Sequence, residues 1–200
     1  MRVTVFDHGA GNLHSLAKAL AAAGAEPFIT DEPAHLAGAD AIVLPGVGAF
    51  APAAARLVPA REAMRAALFS GTPALGICLG MQLLFEGSDE GEGVGLGVFA
   101  GRVTRVHAAR VPHLGWNSLV ETREPLLEQA PLDAVYYAHS YACRPTDTGC
   151  VTAWSELDGD RFPAIVRQGR VLGVQFHPEK SSLAGLAFLR AFLAEAMTCA

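Results

Sequence analysis

The sequence reads, from residue 73 to residue 82, Pro73-Ala74-Leu75-Gly76-Ile77-Cys78-Leu79-Gly80-Met81-Gln82. An apolar run ends at a cysteine that has a glycine two positions before it and another two positions after it. This pattern predicts a strand over 73–77, a sharp turn at Cys78 and a helix over 79–85, the form of a nucleophile elbow. Side chains in place of the two glycines would strike the neighbouring strand or helix, so the pattern favours a thiol pushed out at a strand end.

The predicted elbow favours a reactive thiol. It places the Cys78 sulfur at the N-terminus of a helix, where the helix dipole stabilises a thiolate. The backbone N–H of Leu79 then points to the position of a developing oxyanion. A buried structural cysteine in a glycine-rich turn is the alternative, and the elbow therefore needs a base elsewhere in the chain.

A base is available in the segment Gln175-Phe176-His177-Pro178-Glu179. An apolar run from Val171 places His177 at a strand end, and residues two apart on an extended chain point to the same side. The carboxylate of Glu179 can then hold one imidazole nitrogen while the other nitrogen faces the thiol. Pro178 restricts His177 to extended conformations. An exposed turn without chemistry is the alternative.

The other histidines are weaker candidates for the base. His139 lies near a strand end in Tyr136-Tyr137-Ala138-His139-Ser140-Tyr141, but no carboxylate follows two positions later, so we expect it to line the pocket. The remaining histidines lack a partner pattern, and we expect them at the surface or in the core; they are His8, His14, His35, His107 and His113.

Strands and helices alternate along the first half, which predicts an α/β fold with three layers, a mainly parallel or mixed central sheet and helices on both faces. The expected strands are 3–7, 27–30, 40–44, 73–77, 101–107, 116–120, 134–138, 151–154, 164–166 and 171–176, and the expected helices are 12–23, 52–68, 79–85 and 183–196. Ligands of such sheets bind beyond the carboxyl ends of the strands. The loops at 9–12, 45–48 and 78–82 should therefore converge.

Length and composition fit one domain over residues 1–200. Hydrophobic residues make up 51% of the 200 residues, charged residues 18%, and the net charge of −5 comes without a basic block that would favour nucleic acid. No apolar leader or membrane-length span is visible, so we expect a cytoplasmic protein. The cysteines other than Cys78 are expected to be small buried hydrophobes; they are Cys143, Cys150 and Cys199.

Three segments together resemble the class I, or triad, glutamine amidotransferases, and the resemblance covers nearly the whole chain. They are Pro45-Gly46-Val47-Gly48, Gly76-Ile77-Cys78-Leu79-Gly80-Met81-Gln82 and Phe176-His177-Pro178-Glu179. The resemblance implies a flavodoxin-like fold and hydrolysis of glutamine by a triad of Cys78, His177 and Glu179. It implies an oxyanion hole at Val47 and Leu79. The glutamine contacts it implies are Gly46, Gly48, Gln82, His139, Ser140 and Tyr141.

Further segments resemble the histidine-biosynthesis branch of that family. They are the 9–13 loop, Pro112-His113-Leu114-Gly115-Trp116-Asn117 and the extension of the triad motif by Lys180-Ser181. This resemblance implies a heterodimer with a (β/α)₈-barrel cyclase that receives the ammonia. The positions expected at that interface are Asn12, Trp116, Asn117 and Lys180. For Lys180 an ordinary solvated lysine is the alternative, and core or loop packing is the alternative for Asn12 and Trp116.

The sequence has no phosphate-binding loop, dinucleotide fingerprint or metal-binding cluster, so we expect that the chain does not itself use the ammonia. We therefore expect no cofactor and no metal. Val47 lies between two glycines, and because glycine tolerates positive φ, a flip of the peptide there costs little free energy. We therefore expect the partner to align this loop.

Three other functions remain open from the sequence. The chain could be a glutaminase that serves anthranilate, pyridoxal phosphate or GMP synthesis. It could be a cysteine hydrolase or acyltransferase that acts on another carbonyl, or a scaffold without catalysis on the same fold.

Overall fold

The computed structural model of the protein describes residues 1–9 and 12–198. Its strands are β1 (Arg2–Phe6), β2 (Glu26–Thr30), β3 (Ala41–Leu44), β4 (Ala74–Ile77), β5 (Gly87–Ser88), β6 (Gly101–Arg105), β7 (His113–Ser118), β8 (Ala134–His139), β9 (Tyr141–Pro145), β10 (Val151–Leu157), β11 (Asp160–Gln168) and β12 (Val171–Val174). Its α-helices are α1 (Leu13–Ala23), α2 (Phe50–Leu57), α3 (Arg61–Phe69), α4 (Leu79–Leu83), α5 (Leu126–Gln129) and α6 (Ser182–Thr198). Short 3₁₀ turns cover Pro33–Leu36, Val58–Ala60, Thr148–Cys150 and Pro178–Lys180.

The central sheet has the strand order β10-β11-β12-β4-β3-β1-β2. The neighbours from β12 to β2 are parallel, and β10 and β11 join as antiparallel strands at one side. This arrangement confirms the predicted α/β class with a mixed, mainly parallel sheet.

Alternate residues of the parallel strands supply the cores on the two faces of this sheet. Val3 and Val5 of β1 pack with Leu16 and Leu20 of α1 and with α6. Phe6, on the other face of β1, belongs to the core formed with α2, α3 and α4. Because strand side chains alternate between faces, one sequence pattern supports helices on both sides.

The strand register brings the predicted loops to one edge of the sheet. Ile77 pairs with Val174 of β12, and Gly76 pairs with Leu44 of β3. The segments that follow β1, β3, β4 and β12 therefore leave the sheet side by side, as expected for the ligand-binding edge.

Two smaller sheets lie beside the central one. Strands β5, β6 and β9 form a three-stranded sheet, and β7 and β8 form an antiparallel ribbon. In the ribbon His113 pairs with His139, and Trp116 pairs with Tyr136.

Several predicted elements were wrong in extent. The single helix expected over 52–68 is two helices, α2 and α3, separated by a 3₁₀ turn at Val58–Ala60. Pro59 causes the break, because proline lacks the N–H that a continuous helix requires. Strands β5 and β9 and helix α5 were not predicted. The strand expected at 116–120 begins earlier, at His113, and Val120 instead forms an isolated bridge with Trp154.

No helix in the described part of the chain is long and apolar enough to cross a membrane. Cys143 and Cys150 are both free thiols. Cys143 is buried as expected, but the prediction of a buried Cys150 was wrong, because that residue is half-buried. Cys199 and residues 10 and 11 of the 9–13 loop lie outside the described residues.

Candidate active site

Cys78 lies at the turn between β4 and α4 in a conformation that few side chains adopt. Its φ is 49° and its ψ is −103°. The Cys78 N–H donates to the carbonyl of Val174 on β12 at 2.7 Å, and the N–H of Gln82 donates to the Cys78 carbonyl at 3.1 Å. A strained backbone held on both sides by hydrogen bonds is common at functional residues.

Close backbone contacts explain the glycines around the elbow and confirm the steric reason expected from the sequence. A Cβ at Gly76 would lie 2.7 Å from the Gly80 carbonyl oxygen, and a Cβ at Gly80 would lie 2.0 Å from the Leu44 carbonyl oxygen. In the next loop, a Cβ at Gly46 would lie 2.2 Å from the Ile77 carbonyl oxygen. The 45–48 loop therefore packs directly on the elbow.

His177 and Glu179 meet as the two-residue spacing predicted. The Nδ1 of His177 and the Oε1 of Glu179 are 2.8 Å apart, and both side chains are buried. The backbone holds this pair in place, because the His177 N–H donates to the Tyr136 carbonyl at 2.9 Å and the Ser181 hydroxyl donates to the His177 carbonyl at 2.7 Å.

The environment of His177 favours its protonated form. Burial by itself lowers the pKa of His177, but the neighbouring Cys78 and Glu179 outweigh burial and raise this pKa to about 9. The Nε2 of His177 is buried and has no hydrogen-bond partner within normal contact limits among the described residues. With its pKa raised to about 9, His177 is favoured as the imidazolium at neutral pH.

A cavity of about 200 Å³ opens beside Cys78. It is lined by Gly46, Val47, Gly48, Cys78, Leu79, Gln82, Glu90, Pro112, Ala138, His139, Ser140 and Tyr141. The structure thus places around one cavity both residues expected at the oxyanion hole and all the residues expected to contact glutamine. A volume of this size suits a ligand smaller than most drug-like molecules.

Buried hydrogen bonds fix the polar side chains of this cavity. The Gln82 Nε2 donates to the Tyr141 carbonyl at 3.0 Å and to the Gln175 Oε1 at 3.4 Å. Since both amide protons of Gln82 are used, its oxygen is the group left to accept from a ligand.

His139 has no free nitrogen for proton transfer. Its Nδ1 donates to the Tyr141 carbonyl at 2.9 Å, and its Nε2 accepts from the Nδ1 of His113 at 3.2 Å. Burial lowers the pKa of His139 to about 3. A neutral imidazole with both nitrogens bonded supports the expected lining role and argues against His139 as the base.

Sequence reasoning missed residues that bond to this site. Glu90 lines the cavity and accepts the Phe50 N–H at 2.8 Å, but it stands in an acidic loop without a motif. His8 donates from Nε2 to the Pro45 carbonyl at 2.9 Å, and Gln175 lies 3.4 Å from the Cys78 sulfur. The position of Gln175 beside the His177 motif was the available signal for that residue.

The residues expected at a partner interface are exposed or half-exposed near this edge. Trp116 is 55% exposed and stands edge-on to the Tyr136 ring, while the Nζ of Lys180 lies 5.8 Å from the centre of that same ring. Asn12 is exposed at the start of α1. Asn117 is half-buried and donates to the Glu156 carbonyl at 2.8 Å, so part of its side chain has a structural role.

The described residues contain no group of three or more His, Cys, Asp or Glu side chains that could hold a metal ion.

Comparison with known proteins places the chain among enzymes of one kind. A family model described as "Glutamine amidotransferase class-I" matches residues 4–196. The protein named imidazole glycerol phosphate synthase subunit HisH from Thermosynechococcus vestitus is 44% identical, with 96% of each chain covered. The protein of the same name from Halobacterium salinarum is 43% identical, with 96% of this chain and 92% of that protein covered. A crystal structure of a glutamine amidotransferase is 25% identical and superposes with a TM-score of 0.75 over 97% of this chain and 98% of that one.

Proposed function

The chain belongs to the class I glutamine amidotransferases, and from this premise we propose that it is the glutaminase subunit of an imidazole glycerol phosphate synthase. The observation that carries glutamine hydrolysis is the buried His177, which is bound to Glu179 on one side and influenced by the Cys78 thiol on the other. The likeness to the HisH proteins over nearly the full length supports the choice of branch.

The proposed reaction begins when the Cys78 thiolate attacks the side-chain carboxamide of glutamine. The resulting oxyanion accepts hydrogen bonds from the backbone N–H groups of Leu79 and Val47, and one such donor contributes about 3 kcal/mol to lowering the barrier. His177 gives its Nε2 proton to the leaving ammonia, and a glutamyl thioester remains on the sulfur. Water that His177 deprotonates then attacks the thioester and releases glutamate, while Glu179 holds the ring throughout.

The polar groups of the cavity suit the amino-acid end of glutamine. The free Gln82 Oε1 and the carboxylate of Glu90 can accept from the substrate ammonium, while the 139–141 segment offers backbone groups for the carboxylate. Gly46 and Gly48 keep the opposite wall open for the substrate chain.

The proposal includes a partner, because the chain needs another protein to use the ammonia. We expect a heterodimer in the cytoplasm in which one glutaminase domain, residues 1–200, docks on a (β/α)₈-barrel cyclase. The cyclase would join ammonia with a phosphoribulosyl aminoimidazole intermediate to give imidazole glycerol phosphate and aminoimidazole carboxamide ribotide. The cluster of Trp116, Tyr136 and Lys180 is the surface proposed for docking.

Reconstitution with a candidate cyclase tests this function. Glutamate release is measured for the isolated chain, for the complex, and for the complex with the cyclase substrate bound. We expect a low rate alone and stimulation of at least tenfold in the substrate-bound complex, because the 45–48 loop is then aligned. Equal rates in all three states would reject the partner-controlled loop. Stimulation only by a partner from anthranilate, pyridoxal phosphate or GMP synthesis would assign another branch.

Labelling tests the nucleophile independently of the partner. An electrophilic glutamine analogue should modify Cys78, and excess glutamine should protect it. Modification of Cys78 by analogues of other acyl substrates, without protection by glutamine, would instead support a different hydrolase or acyltransferase.

A further inference from the structure

The side chain of Gln175 lies inside the protein beside the nucleophile. Gln175 follows β12, is fully buried, and is fixed in the backbone by donation of its N–H to the Ala164 carbonyl at 2.9 Å. Its side-chain Nε2 lies 3.4 Å from the Cys78 sulfur, within hydrogen-bonding distance for an N–H donor and a sulfur acceptor. The mechanism described above gives this contact no role.

The orientation of the Gln175 amide is set by its neighbours. Its oxygen accepts from the Gln82 Nε2, which itself is held by the Tyr141 carbonyl. Turning the Gln175 amide over would place two N–H groups against each other and a carbonyl oxygen against the sulfur. The observed network therefore aims an N–H donor at Cys78.

Because Gln175 is the donor in its hydrogen bond with Cys78, this bond favours the thiolate form of the sulfur over the neutral thiol. A neutral thiol can donate its proton to the Ala138 carbonyl, but that oxygen is 4.0 Å away. A thiolate can only accept, and the Gln175 N–H is placed to donate to it. Hydrogen bonds to a charged group are worth more than neutral ones, especially where water is excluded.

We propose that Gln175 is a positioning residue that stabilises the Cys78 thiolate and holds it toward the cavity, with Gln82 and the Tyr141 carbonyl fixing its amide. Unlike His177, the amide does not titrate, so its contribution is present at every pH at which the protein is folded. The inference deepens the proposed function and rests on it for the effect on glutamine hydrolysis. The reactivity of the thiolate can be measured without glutamine.

The test compares Gln175→Met, which keeps the length of the side chain without its N–H, with Gln168→Leu, a control on the exposed end of β11. Iodoacetamide modification of Cys78 is followed by peptide mass spectrometry from pH 5 to 10, which separates Cys78 from the other cysteines. We expect Gln175→Met to slow modification at pH 7 about tenfold and to move the pH midpoint about one pH unit higher. The control should match the wild type.

Kinetics with glutamine add a second readout. In Gln175→Met, assayed in the cyclase complex, we expect kcat to fall about tenfold while KM stays within about twofold, because the Tyr141 carbonyl still holds Gln82 at 3.0 Å. An unchanged midpoint of modification in folded Gln175→Met would overturn the proposal. A shifted midpoint in a protein whose wild type hydrolyses no glutamine even in the substrate-bound cyclase complex would support the inference and reject the proposed function.

A measurement on the wild type keeps the proposal testable if Gln175→Met does not fold. The side-chain amide resonance of Gln175 should shift between the wild type and Cys78→Ala, because the donor loses its sulfur acceptor. An identical resonance in the two proteins would overturn the proposal.

Discussion

The carboxyl ends of the parallel strands form one side of the central sheet, here called the carboxyl edge, and their amino ends form the opposite side, the amino edge. The side chains at these two edges differ in kind. The carboxyl edge carries the strained Cys78, the buried charged pair of His177 and Glu179, and a cavity of about 200 Å³. The amino edge carries a larger groove of about 570 Å³, lined in part by Met1, Asp40, Thr72, Arg170 and Met197.

The polar groups at the amino edge are used to tie the chain together. The Arg170 guanidinium donates to the Ala196 carbonyl at 2.7 Å, and the N–H of Ala74 donates to the Arg170 carbonyl at 3.0 Å. At the carboxyl edge, in contrast, the Nε2 of His177 and the Oε2 of Glu179 have no hydrogen-bond partner among the described residues. Cavity size therefore does not identify the site, whereas buried polar atoms without a partner do.

Replacing Cys78, the proposed nucleophile, is the strongest way to test this contrast. Cys78→Ala should lower kcat/KM for glutamine at least about 10³-fold, since the described residues that line the cavity include no other thiol to form the proposed thioester. Thermal unfolding should show an unchanged or higher Tm, because alanine packs in the same turn. Cys150→Ala, at a half-buried free thiol, is the matched control and should keep activity within about twofold. Substantial activity in Cys78→Ala would end the assignment of the carboxyl edge.

Removing the charge of Glu179 should have the next largest effect. Glu179→Gln keeps the shape but loses the anion that helps to hold the His177 pKa near 9. In the wild type we expect kcat/KM to fall as pH rises through about 9, because His177 then loses the proton that the proposed mechanism gives to the leaving ammonia. In Glu179→Gln we expect about a 10²-fold lower kcat/KM and an alkaline limb at lower pH. An alkaline limb that stays in place would show that another group controls it.

The raised pKa of His177 also predicts how the stability of the fold depends on pH. The pKa of His177 is raised in the folded state above its ordinary value of 6.5. Its contribution to the free energy of unfolding is therefore fully present below about pH 6.5 and is lost as pH rises through about 9. Glu179→Gln should reduce this pH dependence in urea unfolding measured from pH 6 to 10. An equal slope in both proteins would contradict the assigned coupling.

The smallest effect on activity is expected at the amino edge. Arg170→Met removes the hydrogen bonds to the Ala196 and Gly71 carbonyls but keeps much of the apolar length. We expect a loss of about 1 kcal/mol and a fall in Tm of roughly 2–4 °C, with kcat/KM within about twofold of the wild type. A large loss of activity at unchanged stability would give the larger groove a functional role.

The sequence predicted the elements whose signals are local. The elbow glycines, the apolar runs of β1, β3 and β4 and the spacing of His177 and Glu179 each report a short-range constraint, and the structure has them close to the expected bounds. The break at Pro59 was also visible in the sequence, but the alanine-rich pattern on both sides of it favoured one helix.

The rest depended on contacts between distant segments. Gln175 meets Cys78 across 97 positions, and the Oε1 of Gln175 meets Gln82 across 93. Strand β9 pairs with β6 although its residues, Tyr141–Pro145, show no strong alternation. Such pairings are fixed by tertiary packing, and no local sequence pattern predicts them.

The left-handed backbone of Cys78 has a consequence for how this protein could change over many generations. Holding a residue other than glycine at a φ of 49° costs of the order of 1–3 kcal/mol, which the surrounding sheet must supply. A descendant released from the need for a sulfur nucleophile would fold more tightly with glycine at this place. Loss of catalysis would thus be accompanied by a gain in folding stability. A later mutation that restored the cysteine would have to lose that stability again.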